Sequence, residues 1–386
     1  MSALFNLLGK IKSGRKVTGL GLMSGTSADG LDLALLEFSK KEKPKLLAAQ
    51  TYPYSSPVRK KIMAFQLASQ VSPEESILFS QFLGEVWAGL VKKFLAAGRA
   101  GLPDFIASHG QTIRHIPGLR DCLGKRLRGT WQIGEAEVLA KNLNTVVVSD
   151  FRAGDVALGG SGAPLMPFVH QYLLASSKKV WGILNLGGIA NLTFSGKKTF
   201  WASDTGPGNC FSDYLAQKFY RLSRDPGGKK AMSGTVSSEL FSALEKNSFF
   251  ARPFPKSTGR EDFSAAWLEA ILKRYRGLKK EDAMATVEAL TAWGVAEAVR
   301  KNAREKLEEV YLAGGGAKNL FFLKQLQNFL PGVSFHSAGR LGWPADSLEA
   351  AGFALFGWWC LKGEKIGSAS VTGAKKKGVL GKVSQV

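Results

Sequence analysis

The sequence predicts an α/β protein of two related lobes, and two observations carry that prediction. A strand-like apolar run over residues 17–23 breaks into Ser24-Gly25-Thr26-Ser27-Ala28-Asp29-Gly30 and resumes apolar through 31–38. Nearly the same design returns over 181–200, where an apolar run meets Gly187-Gly188 and continues from Ile189. Each reads as a β-hairpin whose turn of Gly and small polar residues leaves backbone N–H groups open to an anion. One such turn in each half suggests two lobes clamping a polyphosphate, and so a nucleotide-dependent enzyme.

The elements follow in order. Residues 45–51 read as a third strand. Ser72 caps a helix over 73–97 with Glu75 three residues on, a capping box, and Ile77, Leu78, Phe82, Val86 and Leu90 recur at helical spacing as its core face. Residues 105–108 form a short strand that runs into a loop at His109-Gly110-Gln111-Thr112. Residues 131–134 lead to a helix over 135–142, then a strand over 145–149 ends at Asp150-Phe151-Arg152. Alternating strands and helices make this lobe α/β. A Gly- and Pro-rich stretch, 155–167, precedes the second hairpin. After it come a strand over 199–203 and a turn, Asp204-Thr205-Gly206-Pro207-Gly208-Asn209. Helices are expected over 236–246, 264–275 and 280–306. The strand 309–313 ends in Gly314-Gly315-Gly316 before a helix over 318–329, a unit in which bare backbone and a helix N-terminus face a ligand. Pro344 opens a last helix through 362, in which Trp358 and Trp359 pack inside a lobe. The lobe boundaries so read are 1–149 and 150–362, with the tail 363–386 returning to the first lobe.

Composition narrows the class. The 386 residues suffice for two domains, and the 45% hydrophobic and 22% charged content is that of a soluble globular protein. No apolar run reaches the roughly 18 residues of a membrane span. The first sixteen residues carry four basic and no acidic side chains. Their basic residues follow the apolar patch instead of preceding it, which argues against a signal peptide. Cys122, Cys210 and Cys360 are widely spaced and odd in number, consistent with a reducing cytoplasm and not with a disulfide framework or zinc site. The formal charge of +21 is scattered, with its densest run only Lys375-Lys376-Lys377. Without a zinc-finger spacing, aromatic RNA-binding signature or long basic helix, it is a basic surface and no nucleic-acid site.

The chain has neither Gly-x-x-x-x-Gly-Lys-Ser/Thr nor a Gly-x-Gly-x-x-Gly after a strand, so P-loop and dinucleotide folds are disfavoured. Phosphate is then held by hairpin turns, with carboxylates holding Mg²⁺, a hard cation that takes oxygen ligands. Asp29 and Asp32 flank the first turn and Asp204 opens a third. Plain turn chemistry accounts for any one such Asp-Gly turn; three at strand ends point to function.

The run Met23-Ser24-Gly25-Thr26-Ser27-Ala28-Asp29-Gly30-Leu31-Asp32 resembles the signature of anhydro-N-acetylmuramic acid kinases. The motifs at 109–112, 132–134, 150–152, 155–165, 185–191, 204–209, 256–261, 314–316 and 370–374 follow in that family's order. The resemblance implies a sugar kinase/actin-like fold, α/β with two ribonuclease H-like lobes around an interlobe cleft. It implies that ATP and water convert 1,6-anhydro-N-acetylmuramic acid to N-acetylmuramic acid 6-phosphate and ADP in peptidoglycan recycling, in a cytoplasmic homodimer. It also implies roles: Asp204 as general base; Gly25 through Asp32, Gly187, Gly188 and Gly314–Gly316 (with Gly315 between) around the nucleotide; Asp29 and Glu349 toward Mg²⁺. For the sugar it implies His109, Gln111, Arg152, Asp155, Gly159 and Gly160, the loop 159–164 closing over it.

Alternatives attach to several of these. Arg152 suits a carboxylate by bidentate bonding, or pairs structurally with Asp150 or Asp155. His109 is a cleft residue or a core histidine. Glu349 sits near the phosphates or is a first-turn glutamate favoured by the helix dipole. The chain also departs from the family pattern. Ala153 and Gly154 stand where further arginines are usual, Asp262 replaces a common aromatic residue, and 341–346 differs. The arginine departure keeps a different sugar acceptor in play, and an inactive ATP- or polyanion-binding scaffold is the reading from another class.

Overall fold

The computed structural model describes residues 2–98, 101–259 and 262–386. The chain divides into two compact units, Met1–Leu173 with Gly342–Val386, and Leu174–Leu341. These bounds differ from those read in the sequence: 150–173 and 342–362 belong to the first unit, because the helices they carry pack on its sheet or on one another.

In the first unit α1 (Ala3–Ser13) precedes the meander β1 (Val17–Ser24), β2 (Gly30–Phe38) and β3 (Lys45–Pro53). Then follow α2 (Ser56–Leu67), α3 (Pro73–Ala97), β4 (Phe105–Cys122), β5 (Lys125–Ile133), α4 (Ala136–Leu143), β6 (Val146–Ser149), α5 (Phe151–Ala157) and α6 (Met166–Leu173). The second unit holds β7 (Trp181–Leu186), β8 (Ile189–Ser195), β9 (Phe200–Pro207), α7 (Cys210–Tyr220), α8 (Lys229–Met232), α9 (Ser238–Leu244) and α10 (Ala265–Leu272). It continues with α11 (Lys280–Asn302), β10 (Glu309–Ala313), α12 (Leu320–Phe329) and β11 (Ser334–Ser337). The chain then returns to the first unit as α13 (Leu348–Leu361) and β12 (Lys382–Ser384).

Both sheets share one topology. In the first, β1, β2 and β3 pair antiparallel, β4 lies parallel to β1 and β6 parallel to β4, giving β3-β2-β1-β4-β6. The second reads β9-β8-β7-β10-β11, again an antiparallel meander followed by two parallel strands. This is the ribonuclease H-like order, present twice. In the first sheet β12 adds to β6 antiparallel, and β5 pairs with the outer half of β4.

The first sheet is covered on both faces, which explains why β2 is apolar almost throughout. Leu31, Leu33 and Leu35 join Phe79, Leu83, Trp87 and Val91 of α3 in one core. On the other face Phe38 stacks on Trp358 of α13 at 5.1 Å. That helix lies close to β1: a Cβ on Gly21 would come 1.8 Å from the Ala350 carbonyl oxygen, so only glycine fits.

Three readings are corrected. The core face of α3 is Phe79, Leu83, Trp87 and Val91, whereas Ile77 and Leu78 are each 63% exposed and Phe82 45%. The helix has apolar residues on two overlapping faces, and the one bearing the larger aromatic residues faces the sheet. Residues 109–112 are not a loop, since β4 runs unbroken to Cys122 and forms a long arm with β5. Asp204 lies within β9 instead of in a turn.

Candidate active site

In the first unit the β1–β2 turn is closed by the Ala28 N–H on the Gly25 carbonyl, 3.2 Å, and by the Tyr54 N–H on the Asp29 carbonyl, 3.0 Å. Ala28 is buried with φ +52°, while Thr26, Ser27 and Asp29 are exposed. Among the described residues the N–H groups of Gly25, Thr26 and Ser27 make no backbone bond, as an anion-binding turn requires. Gly30 and Leu31 already belong to β2 and are buried, so they shape the turn and offer it no contact surface.

A buried chain of hydrogen bonds fixes this turn from behind. Trp87 Nε1 donates to Tyr54 Oη (2.8 Å), which donates to Ser24 Oγ (2.8 Å), which donates to Gln111 Oε1 (2.5 Å). Gln111 Nε2 closes the chain on the Gly25 carbonyl, 3.1 Å. Gln111 is 0% exposed. It pins the turn, and its amide is not presented to a sugar as the sequence suggested. Burial raises the Tyr54 phenol's pKa and keeps it a donor.

His109 is also buried. Its Nδ1 donates to the Gly110 carbonyl at 2.7 Å, and Nε2 accepts from Arg152 Nε at 2.7 Å, a pattern that assigns the neutral ring. Burial, then Arg152, hold its pKa well below the usual value. Arg152 Nη1 donates to the Gly162 carbonyl, 2.9 Å. With Nε engaged, side-on bidentate capture of a carboxylate through Nε and Nη2 is not available; Nη2 and the second Nη1 N–H are the remaining donors. The ion-pair alternative is not what forms at Asp150, which bonds Lys382 at 2.8 Å.

Asp155 is 0% exposed and accepts from Gly162 N–H and Thr372 Oγ1, each at 2.8 Å. Burial raises its pKa, opposed by those two bonds and by Arg152. A Cβ on Gly160 would lie 2.1 Å from Asp155 Oδ2, so the loop closes on the carboxylate only with glycine there. Gly159 gives its carbonyl to Arg128 Nη1, 2.9 Å. Asp155 and Gly160 therefore shape the loop, and a buried carboxylate with both oxygens bonded does not reach a sugar.

Glu349, in the first turn of α13, is solvent-accessible yet surrounded by enough protein that desolvation raises its pKa, Arg152 opposing and Asp32 adding to the effect. Asp32 accepts from Thr51 Oγ1 at 2.5 Å. Its pKa is raised chiefly by burial and further by Asp29 and Asp346. Beside it lies a cavity of about 230 Å³ lined by Asp32, Gln50, Thr51, Asp346 and Ser347, among others. Among the described residues no group of three or more His, Cys, Asp or Glu side chains is close enough to hold a metal alone. Asp29, Asp32 and Glu349 are hard oxygen donors, and Mg²⁺ takes only one or two carboxylates beside water and phosphate. The residues fit that ion.

In the second unit Asp204 Oδ2 accepts from the Thr258 N–H at 2.8 Å, and its own N–H donates to the Lys256 carbonyl at 3.0 Å. Lys256 Nζ donates to the carbonyls of Phe249 (2.9 Å) and Phe250 (3.1 Å). Arg260 and Glu261 of the same motif lie outside the described residues. The carbonyls of Gly187 and Gly188 accept from the N–H groups of Asn209 (2.8 Å) and Gly208 (2.9 Å). Gly314, Gly315 and Gly316 pack against Asn185, Leu186 and Asn209. The fold thus brings the three Gly-rich turns of this unit together, and Thr291 Oγ1 of α11 ties the Gly208 carbonyl to them at 3.2 Å.

The sequence reading missed Tyr54, Trp87, Thr258 and Thr372, which act through contacts to partners 30 to 217 residues away. Thr258 and Thr372 lay inside quoted motifs, and that was their only signal.

A family model described as Anhydro-N-acetylmuramic acid kinase matches residues 17–385. The anhydro-N-acetylmuramic acid kinase of Caldanaerobacter subterraneus subsp. tengcongensis is 36% identical over 382 residues, 95% of this chain and 96% of the relative. That of Cupriavidus pinatubonensis is 37% identical over 372 residues, 94% and 97% of the two chains. Among solved structures, component A of (R)-2-hydroxyglutaryl-CoA dehydratase from Acidaminococcus fermentans aligns with a TM-score of 0.39 and 14% identity, over 88% of this chain and 99% of that one. The ROK hexokinase of Thermus thermophilus aligns with a TM-score of 0.35 and 16% identity, over 89% and 99%. With the match running from the start of β1 to beyond β12, the chain belongs to the anhydro-N-acetylmuramic acid kinase family.

Proposed function

We propose that this protein is an ATP-dependent kinase of cell-wall recycling that opens the 1,6-anhydro ring of 1,6-anhydro-N-acetylmuramic acid and phosphorylates O6. The observation that carries the reading is the family match over residues 17–385, with relatives 34–37% identical across both units. Water adds its oxygen to C1, the C1–O6 bond breaks, and O6 takes the γ-phosphoryl group, leaving N-acetylmuramic acid 6-phosphate and ADP.

Asp204 accepts the proton of that water. The Thr258 N–H on its Oδ2 orients the carboxylate and favours its ionised form. A positioned base contributes roughly 10²–10⁴ in rate. Gly25, Thr26 and Ser27 offer backbone N–H groups to phosphate oxygens, fixed donors where charge develops. Asp29 and Glu349 would hold Mg²⁺ beside water and phosphate oxygens, and the ion when bound would offset the charge of the phosphoryl group. Arg152, aimed by His109, presents its Nη end to the lactyl carboxylate.

The finer settings follow from the same reading. No helix of the described residues is long and apolar enough to cross a membrane, and Cys122, Cys210 and Cys360 form no disulfide; a bacterial cytoplasm suits both. The partner is a second copy of the chain, and the exposed face Ile77, Leu78 and Phe82 of α3 is the patch such a dimer would cover.

Incubation with ATP, Mg²⁺ and the anhydrosugar in ¹⁸O-water tests the chemistry. A 6-phosphate carrying one labelled oxygen at C1, before anomeric exchange, is the expected product. ADP without that sugar, or turnover equally fast on an anhydrosugar lacking the lactyl group, would remove the proposed substrate.

A further inference from the structure

Residues 252–259 carry no helix or strand, yet this segment supplies the N–H that meets Asp204. No sheet ladder fixes Thr258, so side-chain bonds must. The Asp262 carboxylate provides them. Its Oδ2 accepts from Thr258 Oγ1 at 2.5 Å and from Arg252 Nη1 at 2.7 Å, while Oδ1 accepts from Arg252 Nη2. The Asp262 carbonyl accepts from Asn247 Nδ2 at 3.0 Å, which anchors this end of the loop to the helical turn Ser248–Ala251.

We propose that Asp262 is a positioning residue for Asp204, acting through Thr258. The relay is short: Asp262 holds the Thr258 hydroxyl, and the backbone of that same threonine holds Asp204 Oδ2 at 2.8 Å. Arg252, bound to both oxygens, fixes the plane of the Asp262 carboxylate, so Thr258 has one seat instead of several. The Asp204 backbone is registered against the same segment, its N–H on the Lys256 carbonyl and Ser203 Oγ accepting the Lys256 N–H at 3.0 Å. What Asp262 adds is the rotation of the Asp204 side chain. A carboxylate that accepts a fixed N–H gains a restraint on its orientation and a preference for its ionised form; loss of that bond removes both contributions. An aromatic residue at this position could not hold the threonine hydroxyl in this way.

The proposal rests on the reading of Asp204 as the base, and the test separates the two. Asp262→Ala, Thr258→Val, Thr258→Ser and Asp204→Asn are compared with wild type for kcat, KM of both substrates, the pH profile of kcat and thermal melting. Asp262→Ala and Thr258→Val are each expected to lower kcat roughly tenfold, as a small misplacement of a reacting group does. They should leave both KM values within about twofold, the signature of an interaction made in the transition state. The acid limb of the kcat profile should move to higher pH, and Thr258→Ser, which keeps the hydroxyl, should behave as wild type. Should Asp262→Ala fold poorly, Thr258→Val decides, because it leaves the Arg252 pair intact. Unchanged kcat and acid limb in Thr258→Val, with Asp204→Asn inactive, would overturn this proposal alone. Wild-type turnover in Asp204→Asn would overturn the base and its positioning residue together.

Discussion

Gln111 and Glu288 show opposite ways of burying a polar side chain. Gln111 spends its amide on Ser24 and Gly25, so Gln111→Ala leaves a hydroxyl and a carbonyl unpaired behind the β1–β2 turn, a loss of about 1–3 kcal/mol. ATP affinity by calorimetry should fall about tenfold, with the α/β circular dichroism retained. Unchanged ATP affinity would detach the network from the turn. Glu288 of α11 is buried, and neither carboxylate oxygen makes a well-formed hydrogen bond among the described residues. Burial raises its pKa to about 8, Asp225 and Asp213 adding to this and Asn319 opposing it. The folded protein keeps that proton where the unfolded chain loses it, so stability falls as pH rises from about 4.5 to about 8. Glu288→Gln should remove that slope, melting higher than wild type at pH 8 by an upper bound of a few kcal/mol and equal to it near pH 4. Equal melting of the two at both pH values would contradict it. The motif segments around Asp204 and the Gly-rich turns were legible as motifs because their residues are consecutive. The roles of Gln111 and Asp155 were not, since their burial depends on strands and a tail far off in the chain.

At the scale of elements, hairpins and caps were legible and faces were not. The β1–β2 and β7–β8 turns carry local Gly and small polar residues, and Ser72 does cap α3 by accepting the Glu75 N–H. The face α3 buries was decided elsewhere, by Leu31, Leu33 and Leu35 across the sheet. The same ambiguity leaves Ile77, Leu78 and Phe82 exposed in one stripe. On the proposed pairing of two copies through this stripe, Phe82→Glu should halve the mass seen by light scattering with little change in melting temperature, because the side chain is 45% exposed. A dimer of unaltered mass would place the contact on another surface. The β4–β5 arm escaped the sequence because its outer half, beyond Ile116, is exposed, with apolar residues such as Leu119 and Leu127 scattered among polar ones and no sustained alternation to read.

For the whole molecule, the doubling inferred from two hairpins is a doubling of complete sheets, each in the order 3-2-1-4-5. The two copies are threaded differently. Residues 174–341 are one continuous stretch with their own cores, from Leu184, Phe194 and Val310 in one cluster to Phe211, Leu240 and Leu290 in another. A fragment of 174–341 should therefore melt cooperatively by itself, as followed by circular dichroism. A fragment of 1–173 should not, since it lacks α13, whose buried Phe353, Phe356 and Trp358 each bring roughly 1.5–3 kcal/mol of burial. A structureless 174–341 would refute this division.

The return of residues 366–384 to the first unit has a consequence for how the protein is made. Ile366 bridges Gly378, Thr372 completes the shell of Asp155, and β12 seals the edge of β6. On a ribosome, Asp155 and its loop have emerged more than two hundred residues before their partner Thr372. The loop at 155–162 therefore lacks its Thr372 bond throughout synthesis of the second unit, and a chain cut short before Thr372 carries the β1–β2 turn but an unfinished Asp155 shell. The order of translation thus places the closing of this loop near the end of synthesis.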